Sequence, residues 1–487
     1  MISLGLKPLF LLILLAFAGS TATNAQTVPH GASQPIFAGG SGSAGNTPFV
    51  TYLSPSKLLS GTDKVQFYAG QALAKQPWIK APTTTTARDG LGPLYNARTC
   101  LSCHKNGGRG TMPEDESEIL SMGFIRISVP GDDHSIDRHL GVIPVPHYGD
   151  QIQTQSVSLL HQLGLPHDDA SGEPAPEAKT YIRWQDHTVT FPDGEVITLR
   201  SRKAQIEELA YGPLPGNTQI SIRNAPPLLG VGLLEQIPQA TINRMADPED
   251  SDGNGISGRL NRVWDNEKER WVAGRFGHKA NRSDLRQVTA IAFANDIGIS
   301  NPVVPKQPCE STQLACLTSA DGNDREGVEL PEHLLQLVTD YTRSLAVPLQ
   351  RQLTPDQWQT GQQLFTEIGC AECHQPSYKT AANAPPHLAN QTIWPYTDLL
   401  LHDMGEALAD GRPDYDASGS EWRTAPLWGV GLSQKVNGSD HLLHDGRARG
   451  VQEAILWHGG EALKAKVAFM QLTRTQRQQM LLFVQSL

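Results

Sequence analysis

After Ala18 the sequence of 487 residues contains no long hydrophobic run, and it has no excess of positive charge. A helix needs about 20 apolar residues to cross a bilayer, so we expect no transmembrane segment in the mature protein. The formal net charge of −10 argues against a nucleic-acid-binding surface, which needs a basic face. With 39% hydrophobic and 18% charged residues, the composition is that of a globular protein.

The first residues have the pattern of a secretory signal peptide. Lys7 precedes an apolar run from Leu9 to Ala18, and small residues ending at Ala25 follow as a cleavage pattern. The apolar run is too short to span a bilayer, which favours cleavage over an uncleaved membrane anchor. We therefore predict a signal peptide at 1–25 and a periplasmic location.

Cysteine is also scarce, and four of the six cysteines lie in two copies of one motif, Cys-X-X-Cys-His. The residues of the two copies are Cys100, Cys103, His104 and Cys370, Cys373, His374. This motif is the attachment signature of c-type haem. Its cysteines form thioethers with the porphyrin, and its histidine is the usual proximal iron ligand. The sequence therefore predicts two covalently bound haem c groups.

Other uses of these cysteines fit less well. The paired knuckles of a zinc ribbon lie about 15–20 residues apart, whereas 270 positions separate Cys100 from Cys370. A thioredoxin-like disulfide would follow a strand, and neither copy follows a convincing one. Cys309 and Cys316 lack the trailing histidine, so in an exported protein we predict a disulfide between them.

Helix signals surround the second motif. Thr354 is a predicted N-cap with Pro355 at the first helical position, and Thr473 is a predicted cap for the last helix. Helices before the motif and at the end are typical of a cytochrome c fold. We therefore predict a mainly α protein with two cytochrome c-type haem domains, at 26–346 and 347–487.

The first of these domains is predicted to carry a partly β, loop-rich insertion at about 120–215. Within it, "YIRWQDHTVTFPDGEVITLRS" alternates in strand fashion on both sides of a hairpin turn. Farther along, "RNAPPLLGVGL" at 223–233 resembles "RTAPLWGVGL" at 423–432. Each copy follows its own Cys-X-X-Cys-His, which favours two haem domains of common origin.

The loop at 247–261 is a candidate calcium site. Oxygen donors alternate there as in the first half of an EF-hand, and Gly255 permits the turn. The candidate ligands are the side chains of Asp250, Asp252 and Asn254 and the carbonyl of Ile256. The position of the closing glutamate holds Asn261, so an Asx-rich surface turn remains the alternative.

Five further segments resemble the bacterial di-haem oxidoreductase family, also described as di-haem peroxidases or thiol oxidoreductases. The matching segments are "GLGPLYNARTCLSCHKNGGRG", "ADPEDSDGNGISGR", "PYTDLLLHDMG", "EWRTAPLWGVGL" and "LLHDGRARGVQEAILWHGGEA", which cover most of 90–487. That family is similar to the di-haem cytochrome c peroxidases.

The resemblance implies an exported, peroxidase-like oxidoreductase. One haem would receive electrons from a small redox protein, a cytochrome or a cupredoxin, and the other would react with a small substrate such as peroxide. A pure electron-transfer cytochrome without substrate is the alternative. A thiol oxidase has little support, because all six cysteines are already assigned.

The resemblance also implies ligands for the second haem. Its distal ligand would follow the "HDG" at 444–446 and falls on His458, where related proteins have Met or Tyr. Such bis-histidine ligation lowers the potential relative to His/Met ligation. Met404 is the rival ligand. Three nearby tryptophans are predicted to be core residues: Trp394, Trp422 and Trp428. The alternative is that they form a bridge between the haems.

For the first haem the resemblance implies an acid–base group. The segment "DLRQVTAIAFANDIGI" puts Asp296 in the place of the peroxidase glutamate and Gln287 near its amide partner. A helix cap or a structural hydrogen-bond partner is the alternative role for Asp296. The sixth ligand of this haem stays open among four histidines: His134, His139, His147 and His187.

Overall fold

The computed structural model describes residues 34–45, 51–85, 88–165 and 171–487. The predicted signal peptide at 1–25 lies outside these ranges. Within them, none of the helices combines the length and the hydrophobicity that crossing a bilayer requires.

The helices of the described residues are mostly short. In chain order they are α1 (Gly61–Lys75), α2 (Cys100–Cys103), α3 (Leu159–Gln162), α4 (Val231–Glu235), α5 (Gln239–Met245), α6 (Leu285–Ile297), α7 (Leu314–Leu317), α8 (Glu332–Arg343), α9 (Pro355–Glu367), α10 (Ser433–Asn437), α11 (Val451–Trp457), α12 (Leu463–Gln471) and α13 (Arg474–Ser486). Long loops separate most of them, so the architecture depends on packing between distant segments.

The strands of the described residues pair two by two, always antiparallel. In chain order they are β1 (Leu94–Tyr95), β2 (Gly123–Ser128), β3 (Gln155–Ser156), β4 (Lys179–Thr190), β5 (Val196–Glu207), β6 (Gln219–Asn224), β7 (Arg262–Asp265), β8 (Arg270–Ala273), β9 (Tyr378–Lys379), β10 (Thr392–Ile393), β11 (Leu401–Asp403), β12 (Glu421–Arg423), β13 (His441–Leu442) and β14 (Ala448–Arg449). The pairs are β1–β3, β2–β6, β4–β5, β7–β8, β9–β10, β11–β12 and β13–β14.

The prediction of a mainly α fold is wrong. Helices make up 29% of the described residues and strands 18%. The loop-rich, partly β character was predicted only for the insertion, whereas β9–β10, β11–β12 and β13–β14 lie in the second half. Strands of two or three residues show no alternation of polar and apolar positions, so sequence periodicity cannot reveal them.

The helices around the second motif begin where their caps predict. Thr354 and Thr473 each accept a hydrogen bond from the third helical backbone N–H, and each forms a complete capping box with a glutamine, Gln357 or Gln476. The two helices, α9 and α13, cross at Gly361, where a Cβ would collide with Phe483. This close crossing lies in the largest buried cluster of the second half.

The helices of the first half pack in a similar way. A Cβ on Gly70 of α1 would collide with the carbonyl oxygen of Leu337 in α8, and the rings of Phe67 and Tyr341 lie 5.1 Å apart. A further buried cluster joins Tyr52 and Leu229 to residues such as Trp428 of the second half. The division into domains at 346/347 stays a prediction.

The longest regular element is the predicted hairpin, now seen as β4 and β5, each of twelve residues. Its tip packs against the C-terminal helices. The ring of Phe191 lies 6.2 Å from that of Phe469, and the Arg477 guanidinium lies 4.2 Å above Phe191. Arg477 also bonds to Asp193 and Glu195, at 2.6 and 2.7 Å. The hairpin therefore ties the first half of the chain to the second.

We expect Phe191→Ala to lower the free energy of unfolding by about 3–5 kcal/mol, the usual cost of removing a buried phenylalanine ring. Phe191 is only 2% exposed and belongs to the main core cluster of the second half. Chemical denaturation of the haem-loaded protein measures the loss. Val196→Ala is the matched control on the same hairpin, because Val196 is 57% exposed. Equal losses in the two variants would contradict this packing.

Candidate functional site

The first Cys-X-X-Cys-His motif lies on one turn of helix. The side chain of Thr99 caps α2 by accepting a hydrogen bond from Ser102 N at 2.9 Å, and Cys100 and Cys103 occupy the two ends of the turn. His104 follows, and its Nδ1 donates to the carbonyl oxygen of Pro226 at 2.7 Å. This bond leaves Nε2 as the nitrogen available to a metal. All three motif residues line a cavity of about 290 Å³.

The second motif is built in the same manner. Cys370 begins a 3-10 turn after Gly369, whose φ of 91° requires glycine, and Cys373 closes it. The Nδ1 of His374 donates to the carbonyl oxygen of Tyr396 at 2.9 Å, so Nε2 is again the available nitrogen. These residues line a larger cavity of about 570 Å³. Cofactor pockets span ~300–1,000 Å³. The larger cavity lies within that range, and the smaller cavity lies at its lower limit.

The cysteines of the two motifs are half-buried, and none of them forms a disulfide. Burial raises the pKa of Cys100 and Cys103 to about 12, with a further increase from the Asp296 carboxylate. Burial likewise raises the pKa of Cys370 to about 12. Thiols that exchange disulfides or act as nucleophiles have lowered pKa values. The environment of these cysteines therefore disfavours redox chemistry at sulfur and fits thiols that serve as anchors.

The motif histidines are held neutral. Burial lowers the pKa of His104 and of His374 to about 4, although their hydrogen bonds to carbonyl oxygens oppose the change. A neutral imidazole is the form that binds iron. The chemistry and the protonation of both donor sets therefore fit a haem.

His458 lies where the resemblance predicts a ligand, in the same cavity as His374. It ends α11, and its Nδ1 donates to the carbonyl oxygen of Ala454 at 2.6 Å. Burial lowers its pKa, so it too is neutral. Met404, the rival ligand, lines the same cavity. The structure brings both candidates to the second motif, and His458 has the nitrogen orientation of the two motif histidines.

Asp296 lines the smaller cavity, at the end of α6. Gln151 Nε2 donates to its Oδ1 at 2.9 Å. Burial raises the pKa of Asp296, while the bond from Gln151 and the charge of Arg126 oppose the rise. Gln287 does not line either described cavity, and its amide donates to Ser283 Oγ at 2.8 Å. Sequence reasoning missed Gln151, which is far from Asp296 along the chain.

The four histidines considered for the first haem lie away from both described cavities. His139 contacts Asn266, His147 contacts Thr312, and His187 contacts Ser201; His134 is exposed. Among the described residues that line the smaller cavity, the histidines are His104 and His278, and no methionine is present. Sequence reasoning missed His278 because no motif surrounds it.

The two cavities share a wall. Four residues line both of them: Arg109, His278, Arg423 and Ala425. Arg423 donates to the carbonyl oxygens of Gly277 and Thr424, and burial lowers its pKa to about 10. Among the described residues, no carboxylate lies within 4.0 Å of Arg109 or Arg423. Buried cations are costly unless paired, so this wall suits the two propionate carboxylates that a haem brings.

The tryptophans occupy different places. Trp422 lines the larger cavity and stacks on His444, with ring centroids 3.5 Å apart and planes 9° from parallel. Trp428 lines the smaller cavity, and Trp394 is packed against the core of the second half. Trp422 and Trp428 therefore border the cavities while also being buried.

The Asp250–Ile256 loop holds its donors with backbone hydrogen bonds. Asp250 Oδ1 accepts from Gly255 N, and Asp252 Oδ1 accepts from Asn254 N, both at 3.0 Å. The Lys464 ammonium donates to the Asn254 carbonyl oxygen at 2.6 Å. These are the contacts of Asx turns. The calcium assignment stays a prediction, and Asp252, Asn254 and Ile256 also border the larger cavity.

Cys309 and Cys316 form a disulfide, as the sequence predicts.

A buried histidine lies beside the second motif. His402 lies between Asp398 and Glu461, at 2.8 and 2.6 Å, and beside Cys373. Burial lowers the pKa of His402, but the Asp398 carboxylate more than offsets this and holds the pKa well above its usual value. A buried imidazolium therefore lies next to the second motif.

A search of curated proteins finds no match. A solved structure of Kuenenia stuttgartiensis hydrazine synthase, pressurised with 20 bar xenon, aligns at 15% identity over 53% of this chain and 88% of that chain, with a TM-score of 0.23. The model of the family described as "Di-haem oxidoreductase, putative peroxidase" matches residues 27–487. The chain therefore belongs to the di-haem oxidoreductase family.

Proposed function

We propose that the protein is an exported di-haem c-type cytochrome with peroxidase-type activity. Each haem would be attached by thioethers in its own cavity, to Cys100 and Cys103 in the smaller and to Cys370 and Cys373 in the larger. The family supports two haem groups and oxidoreductase chemistry. Two thiols that form no disulfide beside a neutral histidine in each cavity support covalent attachment.

The difference between the two cavities carries the assignment of roles. The larger cavity is lined by His374 and His458, two neutral imidazoles that would hold the iron of one haem. The smaller cavity has His104 and a buried acid, Asp296, with Arg126 nearby. An iron with a histidine on one side and an acid–base group in its cavity is suited to react with a substrate. The larger cavity then holds the electron-receiving haem.

When bound, the haem supplies the redox chemistry toward peroxide. The chain's own part at the smaller cavity is to move a proton and to hold charge. Asp296 accepts the proton of peroxide and delivers it to the departing oxygen. Gln151 fixes the carboxylate through its bond to Oδ1, and the Arg126 cation favours the ionised form.

Arg109 and Arg423 position the haems in this proposal. Both line both cavities, so they suit propionates from either side of the shared wall. A small redox protein, a cytochrome or a cupredoxin, would deliver the electrons. Export and a periplasmic location are supported by the sequence pattern at 1–25.

A spectroscopic experiment tests the roles. We expect the oxidised protein to show one low-spin and one high-spin haem, with only the high-spin haem binding cyanide. His458→Gly should convert the low-spin signal to a second high-spin signal, because the imidazole ligand is lost. His139→Gly is the matched control, since His139 is exposed and lies outside both described cavities.

Two low-spin haems that ignore peroxide in the unaltered protein would contradict the enzyme and favour the electron-transfer cytochrome. An unchanged low-spin signal in His458→Gly would show that another residue of the larger cavity, such as Met404, is the ligand. That result would refute the assignment of His458 alone.

A further inference from the structure

His278 differs from the other residues of the shared wall. Arg109, Arg423 and Ala425 also line both cavities, but His278 is the one of the four that carries an aromatic ring. Burial, with the nearby cation of Arg223, lowers the pKa of His278 to about 3, so the ring is neutral. A residue with a neutral, polarisable ring thus lines both of the sites where the haems are proposed.

A short path of bonds connects this ring to the first motif. His278 Nε2 donates to the carbonyl oxygen of Asn224 at 2.8 Å. Two residues later, the carbonyl oxygen of Pro226 accepts from His104 Nδ1 at 2.7 Å. Two hydrogen bonds and the three consecutive residues 224–226 therefore connect His104 of the smaller cavity to His278, which lines both cavities.

The same segment reaches the larger cavity. The backbone N–H of Asn224 donates to the carbonyl oxygen of His444 at 2.8 Å, and His444 stacks on Trp422. The backbone carbonyl of His278 accepts from Arg423 N, also at 2.8 Å. Both His444 and Trp422 line the larger cavity. His278 and Asn224 thus contact structural elements of both sites.

We propose that His278 is the positioning residue that couples the two haem sites electronically, through its ring and its bond to Asn224. With both haems bound, one electron would pass from the haem held by His374 to the haem held by His104, and no bond would form or break. An external one-electron reductant would then reduce the haem at His374 again. This inference rests on the proposed function, because it requires both haems.

The experiment measures the rate at which an electron redistributes between the haems after laser-flash reduction by a soluble photosensitiser. We expect His278→Leu, which removes the ring and the hydrogen bond, to slow the redistribution several-fold while the two midpoint potentials change little. His278→Gln keeps a donor for the Asn224 carbonyl and should recover part of the rate. His139→Leu is the matched control.

An unchanged rate in both His278 variants would overturn the inference. A haem at His104 that is low spin in the unaltered protein and becomes high spin in both variants would also overturn it, because His278 would then be an iron ligand. Neither result bears on whether the protein reduces peroxide. Conversely, an unaltered protein that is inert to peroxide would refute the proposed activity while the redistribution rate still tested His278.

Discussion

Replacing both Cys100 and Cys103 by serine is expected to remove completely one of the two haems that we propose to be covalently bound. Serine cannot form the thioether bonds, and no other unpaired thiol lines the smaller cavity among the described residues. Intact-mass spectrometry after acid–acetone extraction measures the result. The mass should fall by one haem, and half of the covalently held colour should be lost.

The matched variant, Cys370→Ser with Cys373→Ser, should remove the other haem and leave the first. Replacing Cys309 and Cys316 should remove none, because these cysteines form a disulfide. Two haem increments in the mass of either motif variant would contradict covalent attachment at that motif.

Asp296→Asn is expected to lower kcat/KM for peroxide by about 10²–10⁴-fold, the usual contribution of a general acid–base group. Asparagine keeps the shape of the side chain and can still contact Gln151, but it cannot carry the proton. Steady-state turnover with a small electron donor measures the loss. Asp186→Asn is the matched control, since Asp186 is exposed on the hairpin. Equal activity of the two variants would contradict the role.

The pH profile gives this prediction a second readout. Burial raises the pKa of Asp296, so the carboxyl keeps its proton to a higher pH than an exposed aspartate does. Since the protonated acid cannot accept a proton, kcat/KM should rise with pH through that pKa. The bond from Gln151 lowers the pKa, so Gln151→Leu should move this limb of the profile to higher pH. The limb should be absent in Asp296→Asn.

Local signals in the sequence predicted local features. The Thr354 and Thr473 caps and the hairpin turn before Glu195 are set by neighbouring residues, and the structure confirms them. Each Cys-X-X-Cys-His motif likewise places its own three residues in one cavity. A pattern of a few adjacent residues is enough to predict a structural feature when the feature depends on contacts within one turn.

The parts that could not be predicted depend on contacts between distant segments. Gln151 reaches Asp296 across 145 positions, and His278 meets the second motif's cavity only because loops from both halves form the shared wall. Gln287 was chosen by its closeness to Asp296 in sequence, yet it lies outside both described cavities. The predicted helix content was too high for a related reason. The two-residue strands of the second half form only when distant segments pair, so the sequence gives no local signal for them.

The contact between the hairpin tip and the C-terminal helices has a consequence for how such a chain can be divided or recombined. The segment after residue 346, predicted as the second haem domain, carries a complete Cys-X-X-Cys-His motif, but its largest buried cluster includes Phe191 and Leu199 from the preceding half. Cutting the gene at that junction would uncover an apolar surface. An ancestral duplication that produced two units would therefore have been followed by mutual dependence, so that neither unit is now an exchangeable module.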